Sequence, residues 1–130
     1  MSRRRVVVTG LGVVSPVGNT VPEAWANLTA GRSGIAPITH FDASALTTRF
    51  AGEVKNFNIE PYVSAKEARH MDRFIHYGMA AAIQAVQDAG LDTGDALSEE
   101  QAERIGTLIG SGIGGLTVIE ATHQEYLERG

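Results

Sequence analysis

Three observations predict an α/β fold. The chain opens on a continuous β-branched run, RVVVT at residues 5–9, and a second strand-like run, IGTLI, lies at residues 105–109. Helical stretches are announced by capping boxes, a Ser or Thr three residues ahead of Glu or Gln: Thr20 with Glu23, Ser64 with Glu67, and Ser98 with Gln101. The order is strand, helix, long helix, strand, helix, which is an α/β pattern.

Taken in turn, the first run has the composition of a strand buried on both faces. Gly10 and Gly12 break or kink it. Thr20 caps a helix that Pro22 helps to start and Gly31 ends. Residues 32–58 read as an ordered irregular excursion with one short strand at 50–54. Ser64 opens a long helical stretch to Ala89, closed by Gly90, with a break near Met71-Asp72 where Asp72 can cap a new start. Its second half, GMAAAIQAVQDAG, carries small side chains that let neighbours approach closely. Ser98 starts a short helix; the second strand, a glycine loop and a last helix over residues 116–129 follow. Two strands of central character and one weak one are too few to bury each other. The expectation is therefore the front of a larger domain.

Composition narrows the function classes. A net charge of −4 lacks the basic field of a general nucleic-acid binder. With no cysteine, a disulfide scaffold, a cysteine-based zinc site and a thiol nucleophile within this stretch are all excluded. No apolar run is long enough to span a bilayer. Arg3-Arg4-Arg5 ahead of an apolar stretch has the outline of a twin-arginine signal, but Gly10, Gly12, Pro16 and Gly18 interrupt it. It reads as a buried strand with a basic solvent end, and the expected compartment is the cytoplasm.

The motifs are incomplete by themselves. GSGIGG at residues 110–115 fits G-x-G-x-x-G between a strand and a helix, the context of a dinucleotide fingerprint. The acidic residue expected about 20 positions later falls past Gly130. The competing reading is a tight turn whose glycines permit close backbone packing. No lysine follows for a phosphate loop, and Ile109 and Ile113 stand where a serine-hydrolase elbow needs glycine. His40, His70, His76 and His123 show no metal-ligand spacing. Asp72 and His76, at i and i+4, read as a surface pair. Lys66, Arg69, His70 and Arg73 form a basic patch over two helical turns, either a solvated face or a docking site for an acidic partner.

Six blocks go further: RRVVVTGLGVVSPVGNT, GRSGI, HFD, KEARHMDRFIHYGMAAA, QDAGL and RIGTLIGSGIGGL, in that order. Together they resemble the N-terminal part of the β-ketoacyl-acyl-carrier-protein synthases, above all the elongating branch of type II fatty acid synthesis. Only residues 92–101 run a little longer than the family. The resemblance implies a thiolase-like, layered α-β-α-β-α architecture, of which residues 1–130 would be an incomplete N-terminal portion, and a homodimer. It implies condensation of an enzyme-bound acyl thioester with malonyl carried on acyl carrier protein, through a cysteine and two histidines and without metal or other cofactor. That catalytic set lies outside this stretch, so no catalytic residue is assigned here. Carried over residue by residue, Ile113 lines the acyl pocket, while Lys66 and Arg69 dock acyl carrier protein in its acyl and malonyl forms. The alternatives are a polyketide ketosynthase and a nucleotide-binding α/β domain.

Overall fold

The computed structural model describes residues 3–91 and 97–130. Seven elements follow in chain order: α1 (Val21–Thr29), β1 (Ile35–Pro37), β2 (Phe50–Gly52), α2 (Ala65–Ala68), α3 (Arg73–Asp88), α4 (Glu99–Ala102) and α5 (Leu116–Arg129). Of the longer stretch read from sequence at 92–101, residues 92–96 lie outside the described residues.

Helix ends form largely where the local sequence places them. Ser98 and Gln101 make a complete reciprocal capping box at α4. At α1 the Thr20 hydroxyl accepts the Glu23 N–H at 3.4 Å, and the Glu23 carboxylate accepts from Asn19, one residue further back than the box expects. Gly31 and Gly90 end α1 and α3 with φ of +67° and +64°, a backbone region that suits glycine. The stretch after Ser64 does break, into α2 and α3, with Asp72 as the N-cap of α3.

The expected strands at 5–9 and 105–109 do not form. Among the described residues the one sheet is the antiparallel pair β1–β2, with Ala36 opposite Ala51. Val6 is 94% and Leu108 98% exposed. The cause is the one the composition raised: strands of central character need neighbours on both edges, and the described residues supply none to either run. β1 was not foreseen; it gives β2 its partner and makes residues 32–58 an ordered excursion. Glu53 holds this excursion at one end, accepting from the Thr39 N–H and hydroxyl and from the His40 N–H.

The centre of the molecule is the contact between residues 10–13 and α3. A Cβ on Gly10 would overlap the backbone at Ala85 and Ala89, and one on Gly12 would overlap the backbone at Ala81 and Ala85. Two residues of extended chain cover roughly 6.6 Å and one four-residue step of a helix about 6 Å, so the repeats stay in phase. The glycines therefore do more than end a strand: they let a backbone lie directly on an alanine-lined helix. Side chains of α3 then satisfy the amides that follow each glycine. Leu11 donates to Asp88 Oδ2 at 2.9 Å and Val13 to Gln84 Oε1 at 3.4 Å. The Gln84 amide donates in turn to the Asn19 carbonyl and the Tyr62 hydroxyl. Ala80, on the same helix, is fully buried.

Gly12→Ala will force the backbones apart and cost on the order of 1–3 kcal/mol in denaturant unfolding, whereas Gly112→Ala, with no atom near its added carbon, will change stability little. Glu53 is predicted to make the excursion acid-sensitive. The Thr39 amide, followed by the Thr39 hydroxyl and then His40, holds its carboxyl below the ordinary 4.5. A depressed folded value means stabilisation present above that ordinary value and lost as the pH falls through the folded one. Protection of the Thr39 and His40 amides, corrected for intrinsic exchange, will therefore fall below about pH 4.5. Glu53→Ala will lower it already at neutral pH and remove the acid dependence.

Candidate functional site

The glycine loop, residues 110–115, connects the open run at 105–109 to α5 and lies over the start of α3. Its glycines differ in what they are needed for. Gly110 and Gly112 have open space around them. Gly114 adopts φ +81°, beside the Phe74 ring. Gly115 abuts Asp72, whose Oδ2 would lie 2.5 Å from a Cβ placed there.

Asp72 thus stands at two helix starts. Its Oδ1 accepts the Arg73 N–H at 2.6 Å, capping α3, and its Oδ2 accepts the Val118 N–H at 3.4 Å in the first turn of α5. Gly115, the N-cap of α5, offers no side chain of its own. A carboxylate at that terminus takes the place a nucleotide phosphate would need. That carboxylate opposes the dinucleotide reading of GSGIGG; of the close backbone packing expected of these glycines, Gly110 and Gly112 show none, and Gly115 is met by the Asp72 side chain rather than by backbone. The Asp72–His76 side-chain pair expected from spacing is absent. His76 Nε2 instead donates to the Ala68 carbonyl at 2.9 Å.

Between α3 and the loop lies a cleft of about 370 Å³, walled by Phe74, Tyr77, Gly78 and Met79 on one side and Ile109 to Ser111 on the other. Its surface is mostly apolar, suited to an apolar group rather than a charged ligand. Ile113 sits on the same loop outside this cleft, 77% exposed. A second, wider cleft of about 1030 Å³ separates Thr39 to Phe41 of the excursion from Asp72, Leu116 and Glu120.

The basic patch is not one helical face. Lys66 lies on α2, Arg69 is its C-cap, and Arg73 begins α3 beyond the break. Arg73 turns to His40, donating from Nη1 to Nδ1 at 3.1 Å. Lys66, Arg69 and His70 are exposed, and among the described residues neither Lys66 nor Arg69 has an ion-pair partner. The structure thus groups three of the four basic residues and diverts the fourth. Sequence reading found Asp72 as a cap for α3 but missed its bond to α5, since nothing local signals a contact 46 residues away. No helix among the described residues is long and apolar enough to cross a membrane.

The chain is 58% identical over its whole length to 3-oxoacyl-[acyl-carrier-protein] synthase 2 of Vibrio cholerae, and 48% identical to the protein of the same name from Synechocystis. In each case it spans 30% of the relative's length. Among solved structures, the ishigamide ketosynthase/chain length factor superposes with a TM-score of 0.73 at 36% identity, over 98% of this chain and 30% of that one. The fold is accordingly thiolase-like, of mixed helix and strand. Residues 3–129 match the family described as beta-ketoacyl synthase, N-terminal domain, and the chain belongs to that family.

Proposed function

We propose that residues 1–130 form the N-terminal part of the ketosynthase domain of a 3-oxoacyl-[acyl-carrier-protein] synthase, an acyltransferase that elongates acyl chains in fatty acid biosynthesis. The observation that carries this reading is 58% identity, across every residue of the chain, to a relative of that name.

The reaction is a decarboxylative condensation. A cysteine thiolate carries the acyl group as a thioester. Loss of CO2 from malonyl on acyl carrier protein leaves an enolate, whose carbon attacks the thioester carbonyl and expels the thiolate. The product is a 3-oxoacyl chain two carbons longer. This stretch has no cysteine, so its residues act on binding: the cleft between α3 and the glycine loop receives acyl chain, and the face at Lys66 and Arg69 receives the acidic carrier protein. The enzyme works as a cytoplasmic homodimer and needs no cofactor.

Two experiments on the complete synthase test this. Ile113 lies on the glycine loop but outside the apolar cleft, 77% exposed; its place in the acyl pocket of the complete synthase rests on the family resemblance, under which added bulk there shortens the space for a chain. Ile113→Phe is expected to lower kcat/KM for long acyl primers by about tenfold or more while sparing short ones; equal loss at every length rejects the pocket role. Lys66→Glu with Arg69→Glu is expected to weaken carrier-protein binding at low salt and flatten its salt dependence. Unchanged affinity returns these residues to a solvated face.

A further inference from the structure

We propose that Asp72 is a positioning residue of the acyl site: its single carboxylate locks the start of α5 to the start of α3, and so sets the glycine loop that forms one wall of the apolar cleft. This rests on the reading of that cleft as the acyl site.

The geometry divides the work between two oxygens. Oδ1 belongs to α3, through the Arg73 N–H, and Oδ2 to α5, through the Val118 N–H. The first N–H groups of a helix have no partner within it. Asp72 is the side chain that meets one of them at α5, because Gly115 provides none. The bond is long, but its acceptor is charged and sits at the positive end of the helix. Gly115 is what lets it form: its backbone, at φ −86° and ψ 74°, is open to other residues, and the obstacle to a side chain there is the Asp72 carboxylate. The loop is held at its far end by this contact and by Gly114 against Phe74. Ile109, Gly110 and Ser111, which wall the cleft, lie only a few residues before that anchor. A shift of α5 relative to α3 therefore moves the loop residues that form one wall of the cleft.

Asp72→Asn separates the two oxygens. Asparagine is as good an N-cap as aspartate and keeps an acceptor for Arg73, but it turns an NH2 donor toward the Val118 N–H. In the complete synthase, amide exchange over Leu116 to Ile119 is expected to quicken at least tenfold, with the first turn of α3 unchanged. The ratio of kcat/KM for long over short acyl primers is expected to move at least threefold. Gly115→Ala, which displaces the carboxylate from the other side, should reproduce both effects. Unchanged exchange at α5 in both variants overturns the link. Faster exchange with an unmoved primer ratio overturns the positioning role, leaving Asp72 a cap alone. A wild-type protein that forms no 3-oxoacyl product from any primer would reject the synthase reading itself, a result independent of the variants.

Discussion

The structure depends on one close approach, the backbone of residues 10–13 laid against the alanine face of α3. Neither side could make this contact alone. Any side chain at Gly10 or Gly12 would strike the helix backbone, and larger residues at 81 or 85 would hold the segment away. Once the approach is made, the amides of Leu11 and Val13 find Asp88 and Gln84. Gln84 carries the connection on to Asn19 and Tyr62. Close packing and hydrogen bonding support each other here: the Leu11 bond is exposed and the Val13 bond half-buried, so each contributes a net of about 0.5–1.5 kcal/mol.

Helix α3 then orders the functional features. Its first turn carries Asp72 and Phe74, which meet the glycine loop. Its next turn supplies Tyr77 and Gly78 to the apolar cleft. The break before it turns Arg73 toward His40, while Lys66 and Arg69 stay on the exposed end of α2. One helix thus lies between an apolar cleft and an exposed cationic edge.

The large apolar side chains outside this framework are exposed, including those of the two β-branched runs and of α5. Relatives are more than three times the length of this chain, which spans 30% of them. Strand edges and apolar helix faces of this kind are stable when further layers cover them. The local order of α3, the β1–β2 pair and the glycine loop coexists with those open faces because it rests on helix caps, on the Asp72–Val118 bond and on the glycine–alanine contact.

By itself the sequence determined the helix ends, the break at Met71-Asp72 and the turn glycines Gly31 and Gly90. Each depends on a hydrogen bond or a backbone angle within a few residues, so the residues concerned are neighbours in the text as well as in space. Family membership was also legible, because the ordered blocks from Arg4 to Leu116 carry it. Only the tertiary structure decided that Gly10 and Gly12 lie on Ala81 to Ala89, that β2 pairs with β1, that Asp72 caps α5 as well as α3, and that His76 leaves Asp72 for the Ala68 carbonyl. It also overturned the two buried strands. Composition states what a segment can do if neighbours are present. Whether they are present depends on contacts such as that of Leu11 with Asp88, 77 residues apart, and no local pattern encodes a partner at that distance.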